Sequence, residues 1–442
     1  MSELTRYPSY KDSGVPWLGE IPSHWHIKRL KFAISNISQK VDAQSSSLRY
    51  FGLENIESFT GKLLNKIELT SQGVAHQFEK NDVLFGKLRP YLAKVYLAKT
   101  EGLSSTEALI FRPSSDIDPE FLFYYCLSQD FINEVNGTTF GSKMPRANWD
   151  NISSLLTVFP CLDEQKIIAS FLNEQLTKID AIIYKQKLLL KKLSEQRQSI
   201  ITHTVTRGLN PNAAFKYSSI EWLGNIPEHW DVKSSRYVLS QVGSGKTPKG
   251  GAEVYTDEGV ILIRSQNVHD DGLRLNDVAH ITDEADNQQS NSRVLPDDVL
   301  LNITGASIGR ANIVPKTFPR ANVNQHVCIL RPIEDSIHPK FLLFLLQSTY
   351  SNALIQAEQN GTSREGINFE QIRSFKYPIP PLEEQEQIIG YLNTEIAKIE
   401  KMTNATKKII SSLKEYRSTL ITQAVTGKID VRQFEDNQKG AA

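Results

Sequence analysis

PCLDEQKIIASFLNEQLTKIDAIIYKQKLLLKKLSEQRQSIITHTVT (Pro160–Thr206) aligns without a gap on PPLEEQEQIIGYLNTEIAKIEKMTNATKKIISSLKEYRSTLITQAVT (Pro380–Thr426), with 17 of the 47 positions identical. A shorter echo precedes each copy: WLGEIPSHW (Trp17–Trp25) returns as WLGNIPEHW (Trp222–Trp230). The chain therefore reads as two units, each an opening motif, a variable globular domain and a long helix. Two similar but non-identical heads on one spacer point to a two-part target.

With Leu172 as a d position, the first copy places Leu172, Leu176, Ile179, Ile183, Gln186, Leu190, Leu193, Arg197 and Ile200 on one stripe. The second copy places Leu392, Ile396, Ile399, Thr403, Thr406, Ile410, Leu413, Arg417 and Leu420 there. Spacings of 3 and 4 held over about four heptads predict a coiled coil, each helix being the natural partner of the other. Some 40 helical residues at 1.5 Å rise make a rod of roughly 60 Å. The apolar members of both stripes form the expected seam. Gln186, Thr403, Thr406, Arg197 and Arg417 are expected to snorkel or sit at its edge, the alternative being that they fix the register of the seam. Lys185, Lys187, Lys191 and Lys192 read as a solvated face.

Helix one should stop near Gly208, with Pro211 just beyond. Little chain then remains before the second opening motif, so the second domain must follow at the far end of the rod. To bury its stripe, helix two must run back antiparallel. The expected fold is α+β: two mixed α/β domains at opposite ends of a long antiparallel two-helix coiled coil, related by a pseudo-two-fold. The expected segments are residues 1–159, 160–208 (helix), 209–379, 380–430 (helix) and a tail, 431–442.

Within the domains the order of elements repeats. RYFGLENI from Arg49, NDVLFGKLRPYLAKVYLA from Asn81 and ALIFRP from Ala108 read as strands and turns, and FLFYYCLS from Phe121 as a buried helix. The counterparts are ILIRSQNV from Ile261, DDVLLNITGASIGRANIV from Asp297, HVCILRP from His326 and FLLFLLQS from Phe341. Identity is much lower here than in the helices. A shared scaffold with divergent loops is expected where loops read different sequences.

Composition adds bounds. Hydrophobic content of 40% supports a core in each domain. Cys126, Cys161 and Cys328 are scattered, forming no CxxC or Cys/His cluster, and are expected to be buried thiols. No signal-peptide core or membrane-length apolar run occurs in the sequence, so the expected location is the cytoplasm. The formal net charge is zero, so any nucleic-acid surface must come from local clustering of Lys and Arg.

Together these motifs make the chain resemble the specificity (S) subunits of type I restriction-modification systems. The resemblance spans nearly the whole chain: WLGEIPSHW and WLGNIPEHW, FGKLRPYLAKV, GSGKTPKGG from Gly243 followed by LIRSQNV, and PCLDEQ and PPLEEQ opening helices that end THTVTRG and TQAVTGK. Departures are Cys161 where the second copy has Pro381, and TRG against TGK. The resemblance implies two target recognition domains that each read one half of a bipartite double-stranded DNA site. It also implies helices that act as a ruler and dock two modification subunits, which methylate adenine with S-adenosylmethionine. Restriction subunits would join to translocate DNA with ATP and Mg²⁺ and cleave it. This chain would do no chemistry and hold no cofactor.

The motifs agree with that negative. GSGKT (Gly243–Thr247) has Ser240 where a phosphate loop needs its first glycine. DEAD (Asp283–Asp286) stands without a Walker A, and the sequence has no GxGxxG, methyltransferase loop or HExxH.

Candidate DNA-contacting residues are Lys87, Arg89, Tyr91 and Lys94, with Ser142, Lys143 and Arg146, in the first domain. In the second they are Lys246, Thr247, Lys249, Arg264, Gln266, Asn302, Arg310, Asn324, Gln325, Ser363 and Arg364. Arg and Lys can meet guanine edges or phosphates, and Asn and Gln can pair with adenine. Tyr91, inside an apolar run, is also a candidate for the core. Two rival readings are a coiled-coil adaptor that binds only proteins and a self-contained restriction-methylation enzyme. Salt-dependent DNA binding separates the first from a specificity subunit, and methyl transfer by the isolated chain would identify the second.

Overall fold

The computed structural model describes residues 5–64, 73–141, 143–246, 255–359 and 366–434. It divides into two compact units, Met1–Lys187 with Lys407–Ala442, and Leu188–Thr406. The long helices, Leu162–Arg207 and Leu382–Val425, each give one half to each unit.

In the first unit, strands Ile34–Ile37, Ala108–Pro113, Val83–Gly86 and Val95–Leu97 form an antiparallel sheet in that order. The second unit repeats it with Leu239–Ser244, Val327–Pro332, Val299–Asn302 and Ala311–Ile313. A smaller sheet follows in each, built on one parallel pair: Tyr50–Phe51 with Gly102–Ser104, and Val260–Ile263 with Ala321–Val323. Helices Pro119–Leu127 and Pro339–Gln347 are buried almost throughout. A helix so enclosed must be apolar on every face, which FLFYYCL and FLLFLL supply. The predicted strands, turns and buried helices therefore stand in the predicted order in both units.

The repeated motifs form a joint between domain and helix. Trp25 and Trp230 have no exposed surface, and each donates its indole N–H to a glutamate in the first turn of the following long helix. Trp25 Nε1 is 3.1 Å from Glu164 and Trp230 Nε1 is 3.0 Å from Glu384. His24 and His229 meet the same carboxylates at 2.8 and 2.7 Å. The adjacent Gln165 and Gln385, fully buried, donate to the carbonyls of Pro160 and Pro380 and accept the backbone N–H of Asp118 and His338. A buried amide so satisfied fixes where the helix leaves its sheet. This is why HW and EQ recur together.

Each core continues onto the helices. Leu172, Leu176, Ile179 and Ile183 share a cluster with Leu420, Ile421 and Val425, and Ile201 and Val205 share one with Ile388, Leu392 and Ile396. Leu193 and Ile399 are buried, whereas Leu190, Ile200, Ile410 and Leu413 are only half-buried. Arg417 corrects the expectation of a solvated head. It is 7% exposed, with Nε 3.1 Å from Asp180 and Nη1 donating to Phe59 O at 2.7 Å. Its twin Arg197 donates to Gln347, at 3.2 Å. Thr406 is also buried, its hydroxyl bonded back to Met402 O.

One further expectation changes. Cys161 is exposed because it opens the long helix, while Cys126 and Cys328 are buried; burial pushes the Cys328 thiol up to about 12. DEAD forms a helical turn whose Asp286 is fully buried against Arg293, Arg320 and Asn322. Among the described residues no helix is long and apolar enough to cross a membrane.

Candidate DNA-recognition surface

Four turns converge at one end of the main sheet in each unit. The first unit uses 52–55, 86–94, 105–107 and the described residues of 140–147, and the second uses 264–267, 302–310, 324–326 and 366–367. Matching hydrogen bonds establish the equivalence. Asn55 Oδ1 accepts Gly52 N–H at 3.0 Å, and Asn267 Oδ1 accepts Arg264 N–H at 2.9 Å. Gly86 N–H donates to Lys94 O and Asn302 N–H to Arg310 O, both at 2.9 Å. Lys87 N–H meets Glu107 O as Ile303 N–H meets His326 O, both at 3.0 Å. Bridges Leu88↔Arg146 and Thr304↔Gly366 attach the fourth turn. At the opposite end of the sheet lies a shared ion pair, Arg112 on Asp82 and Arg331 on Asp298, each through two contacts of 2.8 Å.

The side chains on this common frame differ. Lys87 stands where the second unit has Ile303, Arg89 where it has Gly305, Tyr91 where it has Ser307, and Glu107 where it has His326. Lys87, Arg89, Tyr91, Lys94, Lys143 and Arg146 all belong to the two turns that the Arg89 N–H to Pro145 O bond ties together, at 2.8 Å. Tyr91 is 44% exposed and is not core, because Pro90–Leu92 is a 3₁₀ turn between two left-handed residues and not a strand. Lys94 is committed to Leu53 O at 2.7 Å, and Arg146 pairs with Glu107 at 3.0 Å. Beside them, Lys87, Phe140, Arg146, Asn148 and Trp149 line a cleft of about 330 Å³. Burial, aided by the Lys87 charge, lowers the pKa of His76 below the ordinary imidazole value.

In the second unit Arg264, Gln266, Asn302, Arg310, Asn324 and Gln325 also come together. Asn302 and Asn324 are buried and serve the frame: Asn302 Nδ2 donates to Ser265 O at 2.8 Å, and Asn324 Oδ1 caps His326 N–H at 3.0 Å. Gln266 and Arg264 both reach Asp277. Arg310 is exposed, and so is Lys246, whose N–H donates to Gln289. Ser142, Thr247, Lys249, Ser363 and Arg364 lie outside the described residues. Sequence reasoning missed Glu107 and His326, and the exposed Phe140 and Met144. Aligning SSTEAL (Ser104–Leu109) on VNQHVC (Val323–Cys328) would have exposed the first pair, since Ser105 Oγ caps Glu107 N–H as Asn324 caps His326.

Basic and aromatic groups on turns above a rigid sheet can meet phosphates and base edges. Among the described residues, no cluster of His, Cys, Asp and Glu could hold a metal ion. A family profile described as the type I restriction modification DNA specificity domain matches residues 49–192 and 227–410. The EcoBI specificity subunit of Escherichia coli is 24% identical over 324 residues, 71% of this chain and 67% of that protein. The MjaVIII specificity subunit of Methanocaldococcus jannaschii is 24% identical over 428 residues, covering 94% and 95%. A chain from a structural study of complex assembly and conformational transition in the type I R-M system superposes with a TM-score of 0.70 at 19% identity, covering 92% of this chain and 98% of that one. The HsdS subunit of Thermoanaerobacter tengcongensis gives 0.50 at 19% identity, with the same coverage. With the profile covering most of both units and their joints built alike, this chain belongs to the type I restriction-modification DNA specificity family.

Proposed function

We propose that this chain reads DNA for a type I restriction-modification complex, each unit's four-turn surface contacting one half of a bipartite double-stranded site. The observation that carries this reading is one hydrogen-bonded frame built twice with different side chains at its tip. Such a pair suits two different half-sites. Lys87, Arg89, Tyr91, Lys143 and Arg146 serve the first half-site, and Lys246, Arg264, Gln266, Arg310 and Gln325 the second. The long helices form an antiparallel two-helix coiled coil with the recognition domains at its ends. Their sharing between the units and their apolar stripes support this. The helices set the spacer and dock two methyltransferase subunits, which restriction subunits join. Methyl transfer with S-adenosylmethionine, and translocation and cleavage with ATP and Mg²⁺, belong to those partners in the cytoplasm.

Methylation mapping of the full chain assembled with its methyltransferase subunits tests the reading, and a bipartite methylated sequence is the expected result. Inserting four residues after Leu193 adds ~6 Å of helix, a stutter that local unwinding can absorb. At ~3.4 Å per base pair, the spacer should lengthen by one or two base pairs with both half-sites unchanged. Absence of salt-sensitive DNA binding would leave a protein adaptor. An active insertion mutant with the original spacer would remove the ruler.

A further inference from the structure

The turn Gly86–Lys94 passes twice through left-handed backbone, at Arg89 (φ 51°, ψ 62°) and at Ala93 (φ 46°, ψ 49°). The second unit does the same at the equivalent positions, but with Gly305 (φ 72°) and Gly309 (φ 87°). Left-handed backbone brings Cβ against the following carbonyl, a clash that glycine escapes. Arg89 also precedes Pro90, whose ring pushes its predecessor toward extended backbone. The fold therefore asks for glycine at this position, and one unit has it. Around Arg89 the turn is held by main-chain bonds, from Arg89 N–H to Pro145 O and from Leu92 N–H to Arg89 O. No bond in it requires an arginine side chain.

That side chain is also incompletely satisfied. Arg89 Nε is buried and makes no hydrogen bond, and among the described residues no carboxylate pairs with its guanidinium. Its neighbour Arg146 has Glu107, and Lys94 has a carbonyl. A strained residue carrying an unneutralised, partly desolvated cation beside Lys87 and Lys143 lacks an acceptor that the free protein does not supply. Strain of this kind persists at sites where the side chain itself is needed.

Resting on the DNA-reading function, we propose that Arg89 is the specificity-determining residue of the first domain, its guanidinium donating to O6 and N7 of a guanine in the half-site that this unit reads. The glycine at position 305 marks the place where the second unit gives up the same contact.

The test compares Arg89→Gly, Arg89→Ala and Arg89→Lys in the full chain assembled with its methyltransferase subunits. The probes are duplexes carrying the wild-type methylated site or a single substituted base pair. Arg89→Gly should unfold at or above the wild-type temperature, and above Arg89→Ala, which keeps a Cβ in left-handed backbone. Arg89→Gly and Arg89→Lys should both lose about 5- to 150-fold discrimination at one G·C pair of the first half-site, with the second half-site read as before. Unchanged discrimination at every first-half position would overturn the proposal. So would a uniform loss of affinity across all duplexes with a shallower salt dependence, which marks a phosphate contact. Melting of Arg89→Gly below Arg89→Ala would remove its strain premise. A wild-type complex with no sequence preference would sink the DNA-reading function itself, a different outcome from a preference that ignores Arg89.

Discussion

The two units agree where backbone meets backbone and part company at the side chains above. Asp82 with Arg112 and Asp298 with Arg331, Gln165 and Gln385, and Asn55 and Asn267 are interchangeable because each satisfies main-chain groups whose positions the sheet has already set. Lys87 and Ile303, or Arg89 and Gly305, occupy matching places on one frame with nothing in common chemically. The difference teaches that positions such as 87 and 89 are free to vary because the frame bonds there are made by the main chain. A second contrast lies at the helix ends. Tyr7 against Trp25, Phe434 against Phe171 and the Thr5↔Asp430 bridge close the first unit with residues 5–7 and 430–434. The second unit has exposed Trp222 and Tyr391 at the positions equivalent to Trp17 and Phe171.

The contrast is sharpest at the two glycines that end the long helices. Gly208 (φ 73°) makes a single bond back to Thr204 O, while Gly427 (φ 72°) makes a Schellman pair, Gly427 N–H to Ala424 O and Lys428 N–H to Gln423 O. A Cβ on Gly427 would fall 2.7 Å from Pro22 Cγ and 3.2 Å from the fully buried Trp25. At Gly208 its nearest neighbours are the Glu384 carboxylate and Trp230, both at 3.2 Å. Left-handed strain plus overpacking should make Gly427→Ala cost about 2–5 kcal/mol, and strain alone should make Gly208→Ala cost about 1–2 kcal/mol. Hydrogen exchange resolved by unit checks this. Equal costs would mean that the two joints are equally tight and that the closing segments 5–7 and 430–434 add nothing.

Asp286 makes the smaller sheet of the second unit acid-sensitive. Burial alone would raise its carboxyl, but hydrogen bonds from Arg293, Asn322 and Arg320 outweigh that and hold it below the ordinary carboxylate range. A depressed folded-state pKa contributes stability that is complete above the unfolded value, ~3.9, and is lost as pH falls through the lower folded value. The smaller sheet of the second unit should therefore lose protection below about pH 4. Asp286→Ala should remove about 2–3 kcal/mol at neutral pH, the worth of charged hydrogen bonds, and flatten the acid dependence. An acid profile identical in wild type and variant would show that other carboxylates govern it.

The duplication, the heptad stripe and the order of strands were legible because each is a periodic signal carried by side-chain type. The joint was half legible. HW and EQ could be seen to recur, but that Glu164 accepts from Trp25, 139 residues away, is a long-range pairing with no periodic trace. Arg417 read as a solvated head because its partners Asp180 and Phe59 O come from distant segments. At the tip, residue chemistry could not separate Gln325 from the frame amides Asn302 and Asn324, since an amide that caps a turn and an amide that meets a ligand look the same in sequence. Tyr91 was ambiguous for a related reason: an apolar run does not show where the backbone turns left-handed.

The smallest expected effect lies where each domain meets the long helices. In the second unit Gln347 is a relay: its Oε1 accepts from Arg197 at 3.2 Å, and its Nε2 donates to Asp270 O at 2.9 Å and Ala311 O at 3.1 Å. The first unit has Leu127 there, buried, and Arg417 spans to the Phe59 carbonyl directly. Gln347→Leu keeps the volume but strands two carbonyls and a guanidinium, and should cost about 1–2 kcal/mol. Leu127→Gln buries an amide whose arginine is already held by Asp180 at 3.1 Å, and should cost a similar amount. The two lesions should loosen different segments, 188–207 in the first variant and 407–425 in the second, as read by amide exchange. If Gln347→Leu leaves 188–207 as protected as before, the relay does not hold the second domain to its helix. The two docking modes would then differ in form without differing in energy.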